Sequence, residues 1–337
     1  MKLAVLNPRG NDPDQAFPDF AGAPDERVHA PVNHHAYAAC TGGGFFRKIA
    51  SIPEEMRAVL VLIRHDLKSA REAVVELRKA KKVVAVGWKE AGAHQIAAQL
   101  AKPAKLRIFR EICERCDAAI TATPDLVPLF HAAGVPRAEF IPTPYPLEES
   151  AWDCSFAEEQ RRGIFIGTRE FNVPSRNHLA ALLIMKRLAE GMGEPVTVFN
   201  VDGWRGRRML DELGYSNGLL RVVDGPLPYP TYLRVMSKHR FVFQLDASTV
   251  PGQVAGDALL CRLPCIGGQG VTEQLAFPEI CGHRRTHEQL FDLAARLLEH
   301  PHDCAAVAAQ ALEAGRARLS FARGAQELEK FFAPLLR

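Results

Sequence analysis

The chain has 337 residues, 47% of them hydrophobic and 24% charged, with a formal net charge of +3. The length suits two domains, and the composition is ordinary for a globular protein. The charge is too small to argue for a nucleic-acid or membrane partner, and no apolar run approaches the roughly 20 residues that span a bilayer.

Residues 2–6 read as a first strand ended by Pro8, with too short an apolar core for a signal peptide. Residues 8–32 are rich in Pro, Gly and Asp and read as a long irregular loop. The continuous apolar run at 58–63 reads as a buried parallel strand. Helical spacing follows at Leu67, Ala70, Val74 and Leu77, then a strand at 83–86 and helices at 94–100 and 105–115. A strand at 118–121, a helix at 124–133 ended by Gly134, and a short strand at 140–141 complete the first half. Pro142-Thr-Pro-Tyr-Pro146 is stiff and cannot be helix.

The pattern restarts at Gly163-Ile-Phe-Ile-Gly167. Helices at 178–190, 206–213 and 229–237 alternate with strands at 196–201, 219–223 and 241–245. Residues 254–261 form a short helix that Pro264 must end; Cys265-Ile266 is a buried strand, and Gly267-Gly-Gln-Gly270 opens backbone space behind it. The last 50 residues are nearly all helical. Alternation of β and α predicts parallel, doubly wound sheets. Proline and acidic residues concentrate near 146–162, which predicts a first domain over 1–150 and a second over 151–320. A final helix over 321–337 is expected to pack back on the first domain. Two such domains create a cleft between facing strand ends, where ligands of α/β sheets bind.

Eight cysteines without a regular framework suit a reducing cytosol, so a cytoplasmic protein is expected. Cys113-x-x-Cys116 lies in a helical stretch and reads as buried thiols, and Cys281-Gly-His283 matches no zinc knuckle, so no metal is expected. Trp204-Arg-Gly-Arg-Arg208 is a basic cluster beside an aromatic that reads as a solvated helix start.

Four segments of the second half carry a family likeness, in order. They are 164–177, with Gly167, Arg169 and Arg176; Phe199-Asn-Val-Asp-Gly203; the turn 223–232; and the loop, helix, strand and glycine run of 248–273. Together they resemble the C-terminal domain of the GT-B glycosyltransferases, specifically the large retaining group that includes sucrose synthase and bacterial mannosyltransferases. Cys116-Asp-Ala-Ala-Ile-Thr-Ala-Thr-Pro and Phe140-Ile-Pro-Thr-Pro-Tyr-Pro146 are similar to the end of that family's first domain, so the likeness covers about residues 116–330.

The resemblance implies an α/β GT-B fold of two doubly wound, Rossmann-like domains facing across a cleft. It implies a metal-independent hexosyl-type glycosyltransferase with no tightly bound cofactor and a UDP-, GDP- or ADP-sugar as donor. The acceptor, on the first domain, is left open as glycan, lipid, small molecule or protein; no nucleic-acid partner is implied, and peripheral membrane contact stays open. Gly167, Arg169 and Arg176 would hold the diphosphate, the two arginines standing where the family has arginine and lysine. Gly252 supplies a turn and Gly268 backbone amides, Asp257 would bind the ribose, and Glu273 would point towards the nucleotide sugar. Leu227 or Tyr229 could border the base.

The family's first signature glutamate falls on Thr249. That departure leaves open a different donor, a different stereochemical outcome, or a catalytically inactive GT-B-like nucleotide- or sugar-binding scaffold. In the first half, His65 and Lys89 follow strands and are catalytic candidates, Lys89 at about the place of a family histidine. His34-His35 offers a base or a phosphate donor, and Thr41-Gly-Gly-Gly44 a loop for acceptor or phosphate.

Overall fold

Apolar runs without alternation need cover on both faces, and parallel strands connected through helices provide it. Seven strands build the first sheet: β1 (Leu3–Leu6), β2 (Gln15–Ala16), β3 (Gly44–Phe46), β4 (Ala58–Ile63), β5 (Val83–Trp88), β6 (Ala118–Thr121) and β7 (Ala138–Phe140). Their order is β2-β3-β1-β4-β5-β6-β7, parallel throughout except that β2 runs against β3. Every residue of β4 and β5 is buried. Val59, Val61 and Ile63 meet Ala70, Val74 and Leu77 of the helix Leu67–Lys79 in one apolar cluster. Each such aliphatic side chain stabilises the fold by roughly 1.5–3 kcal/mol. Asp66 starts that helix, its carboxylate accepting from the Ser69 hydroxyl at 2.5 Å.

The second sheet has five parallel strands: β8 (Ile164–Ile166), β9 (Val196–Asn200), β10 (Leu220–Asp224), β11 (Phe241–Gln244) and β12 (Cys265–Gly267). Their order is β10-β9-β8-β11-β12.

The computed structural model describes residues 1–89 and 92–337; Glu90, beside the candidate Lys89, lies outside them. The described chain forms two units, 1–149 with 249–251 and 318–337, and 150–248 with 252–317. In the first unit the helix Phe321–Phe332 buries Leu328, Phe331 and Phe332 completely. It docks where the Tyr145 N–H donates to the Leu319 carbonyl at 2.6 Å and where a Cβ on Gly324 would touch Pro144.

Two parts of the first unit differ from the sequence expectation. The segment 8–32 contributes the edge strand β2, and His34-His35 opens a buried helix, His34–Ala39, rather than a loop. Neither leaves a periodic signal: the strand has two residues, and the helix has six, with no side-chain cap at Asn33. The Thr41–Gly44 run is a packing element. A Cβ on Gly43 would overlap the Leu3 carbonyl, and Thr41 Oγ1 accepts from the Leu3 N–H at 3.1 Å, so these residues let β3 lie beside β1.

Candidate functional site

In the second sheet the chain winds outwards from β8 through β9 to β10, then returns to β11 and β12 on the other side. The switch therefore lies between β8 and β11, and the strand ends there are the place where open α/β sheets bind ligands. The loop after β8 carries Gly167, Arg169 and Arg176; the loop after β11 carries Asp246. The two loops are knitted together: the Ala247 N–H donates to the Ser175 carbonyl at 2.8 Å, and Asn177 Nδ2 to the Leu245 carbonyl at 2.9 Å. Asn177 adopts a left-handed conformation, φ 47°, to turn the chain into the helix His178–Met192.

Arg176 pairs with the buried carboxylate of Asp246, whose other oxygen accepts from the Ser248 N–H at 2.9 Å. Arg169 is half exposed and lies 3.7 Å from Glu170. Gly167 sits at the end of β8, where a Cβ would press on Val254 and Val242.

The helix Gln253–Leu260 and the glycine run bring two carboxyl groups to the same sheet end. Asp257 is 1% exposed and accepts from the Tyr229 hydroxyl at 2.5 Å. Burial pushes its carboxyl up to about 7, against the bonds from Tyr229, Tyr232 and Gln253 and the nearby Arg169 guanidinium. Glu273 is 2% exposed; its Oε1 accepts from Gln244 Nε2 at 2.7 Å. Its Oε2 is buried and has no hydrogen-bond partner among the described residues. Burial also raises Glu273 to about 7, helped by Asp246 and opposed by its own backbone N–H, Gln244 and Arg176. A Cβ on Gly252 or Gly270 would overlap the Glu273 carboxyl, and one on Gly268 would crowd it. The backbone space that these glycines open therefore receives the Glu273 side chain. Gly252 has φ +87° and Gly268 φ +74°, conformations that glycine adopts without strain.

The sequence reading passed over Asp246, Gln244 and Tyr232. Gln244 and Asp246 carried a usable signal, since a polar residue in or just after a fully apolar strand needs a partner. Tyr229, considered beside a base, donates its hydroxyl to Asp257 and stacks with Tyr232 at 6.1 Å.

The remaining candidates lie in the first unit. Thr249, half-buried, belongs there with Val250 and Pro251. His65 is exposed beyond the end of β4. Lys89 follows β5 and its ammonium donates to Asp12 at 2.8 Å; burial opposes ionisation of Asp12, but Lys89 holds its carboxyl below the usual range. His34 is buried with Nε2 3.2 Å from the Trp88 carbonyl, and burial lowers its pKa to about 4. His35 stacks between His29 and Phe45 at 3.7 Å from each, and burial lowers it to about 2. Both rings are neutral at ordinary pH.

No family model matches the chain, and no curated protein sequence matches it. Solved structures do. Sucrose-phosphate synthase from Thermosynechococcus elongatus superposes with a TM-score of 0.66 at 14% identity, covering 100% of this chain and 99% of that one. A UDP-forming α,α-trehalose-phosphate synthase from Burkholderia xenovorans gives 0.65 at 10% identity, with both chains covered in full. The pneumococcal O-GlcNAc transferase GtfA, in complex with UDP and GlcNAc, gives 0.58 at 11% identity over 83% of this chain and 57% of that one. With two doubly wound, mainly parallel sheets in one polypeptide and full-length superposition on the two synthases, the chain has the GT-B fold.

Proposed function

We propose that the protein is a glycosyltransferase that moves a hexosyl group from a nucleotide-sugar donor, held on the second unit, to an acceptor bound by the first. The observation that carries this reading is the set at the switch between β8 and β11. Two arginines, Arg169 and Arg176, share one sheet end with Glu273, a buried carboxyl whose Oε2 lacks a partner. A donor hydroxyl supplies the hydrogen bond that Oε2 lacks. Arg169, half exposed beside Glu170, turns to the diphosphate. Arg176, aligned by Asp246, adds a second fixed cation.

Chemically, the departing nucleoside diphosphate gains negative charge as the glycosidic bond breaks. Two guanidinium groups offset that charge without a metal ion. Gly167 and Gly268 lie at the same sheet end, where the N–H groups of Gly167, Gly267 and Gln269 are already taken by the Phe243, Ile280 and Asp246 carbonyls. Asp257 receives the ribose hydroxyls in exchange for the Tyr229 hydroxyl that now caps it. On the first unit, His65 and Lys89 take the acceptor side, with Lys89 released from Asp12 when an acceptor oxygen replaces that carboxylate.

The structural neighbours named above include a UDP-forming synthase and a transferase solved with UDP, so UDP is the first nucleotide to test. Calorimetric titration with UDP, GDP and ADP should show one of them binding. Arg169→Ala, which removes a half-exposed side chain and leaves melting temperature unchanged, should weaken that binding by about tenfold or more. Binding by none of the three, or unchanged binding to the variant, overturns the donor assignment. Binding without any turnover of the matching sugar nucleotide favours the scaffold reading that Thr249 raises.

A further inference from the structure

The second unit also has a cavity of about 220 Å³ at the opposite end of its sheet, by the starts of the strands. Thr197 and Arg221 are registered partners on β9 and β10, so their side chains leave the sheet on the same face. Thr197 lies three residues before the end of β9, roughly 10 Å along the strand from the switch-point end. His239, just past the helix Tyr229–Met236, forms the floor with Thr197. Its Nδ1 is 3.1 Å from the Met236 carbonyl and its Nε2 2.7 Å from Thr197 Oγ1. A carbonyl only accepts, so Nδ1 carries the proton and Nε2 accepts from the threonine hydroxyl. Both ring nitrogens are used, and the floor is neutral. Pro195 and Val235 supply the apolar wall.

Three cations ring this space: Arg162, Arg221 and Lys238. No carboxylate lines it among the described residues. Glu194, adjacent to Pro195, is engaged with Arg240 at 3.1 Å and with the Gly163 N–H at 2.8 Å. Arg162 Nη1 donates to the carbonyls of Glu159 and Arg161, which orients the guanidinium and leaves its other N–H groups. The helix end beside the cavity would repel an anion through its free carbonyls, but those of Leu233 and Met236 are capped by the N–H groups of Ser237 and His239. Three like charges around a concave, counterion-free space focus a positive potential. The volume falls below the roughly 300 Å³ at which drug-sized ligand sites begin and suits a group the size of a phosphate.

We propose that this cavity is an anion site, separate from the donor site, that takes a phosphate group, either free or as the monoester of a small metabolite. Arg221 and Lys238 hold the oxygens, and Arg162 closes the third side.

The test is calorimetry and thermal melting of the full chain with inorganic phosphate, glycerol 3-phosphate, and sodium chloride at matched ionic strength. Phosphate should bind with Kd of about 1 mM, as suits solvent-exposed cations. Arg221→Gln should weaken it about tenfold and the Arg221→Gln/Lys238→Gln double variant should abolish it, while Arg169→Ala keeps it. Both exposed substitutions relieve repulsion, so neither should lower the melting temperature in phosphate-free buffer. Glycerol 3-phosphate binding more tightly than phosphate identifies a metabolite ester as the ligand, and rejection of the ester identifies free phosphate. An equal shift with chloride, unchanged affinity in the double variant, or loss of binding in Arg169→Ala overturns the proposal; the last would place the ion at the donor site instead.

Discussion

Replacing Glu273 by Gln isolates the cost of a buried carboxyl group at the switch point. The glutamate rises from an ordinary 4.5 to about 7 in the folded protein because it is buried beside Gly252 and Gly270. A carboxyl whose folded pKa is raised contributes its full stability below the unfolded value, where it is neutral in both states. That contribution is lost as pH rises towards 7, because the unfolded chain releases a proton that the folded chain keeps. Each pH unit between the two values is worth about 1.4 kcal/mol, so the wild-type chain loses about 3 kcal/mol from this group on going from pH 4.5 to above 7. Glutamine keeps an oxygen to accept from Gln244 Nε2 and cannot ionise. Glu273→Gln should therefore be more stable than wild type at pH 8 by about 3 kcal/mol, with the gap closing towards pH 5. Asp257, also raised to about 7, remains in both proteins and cancels from the difference. Urea unfolding of both proteins from pH 5 to pH 8 measures the gap. A difference that does not change with pH, or a variant less stable than wild type at pH 8, refutes the reasoning.

Two further perturbations probe the packing. Gly267→Ala places a Cβ against the Gln244 carbonyl at φ +81°, whereas Gly193→Ala at φ +69° meets nothing within 4 Å. The first should cost about 3 kcal/mol or more and the second about 1 kcal/mol in urea unfolding, and equal losses would contradict the backbone clash. All eight cysteines are free and only Cys154 is partly exposed. Burial raises Cys113 out of the reactive range and Cys116 to about 12. A thiol reagent should modify Cys154 alone in the native protein and all eight after denaturation. Fast native labelling of Cys113 or Cys116, or a disulfide between them, would contradict their reading as buried, inert thiols.

The architecture was legible in the chain because parallel strands buried on both faces must be apolar throughout. The runs at 58–63, 83–86 and 241–243 announce themselves, and the helices between them show their period. The short pieces were not. Neither β2 nor the helix His34–Ala39 is long enough to carry a pattern, and both exist because neighbours already in place give them partners. Glycine was legible at Gly252, where the turn needs the φ of +87° that it adopts, and at Gly267 and Gly268, where what would fill the backbone space was not. At Gly268 the sequence suggested open backbone space behind the strand, and folding places the Glu273 carboxyl against it.

Charge partners depended wholly on tertiary structure. Arg176 and Asp246 are 70 residues apart, and Tyr229 and Asp257 are 28 apart, so no local spacing could pair them. The cation-ringed cavity is assembled from the starts of β8, β9 and β10 and the end of one helix, segments whose residues look like ordinary surface when read singly. Local sequence determined which segments are strand or helix and which way their apolar faces turn, because those choices depend on near neighbours along the chain. The tertiary structure decided which charges meet, which carboxyl groups lose their water, and where positive potential gathers, because those depend on distances in space that the chain order does not encode.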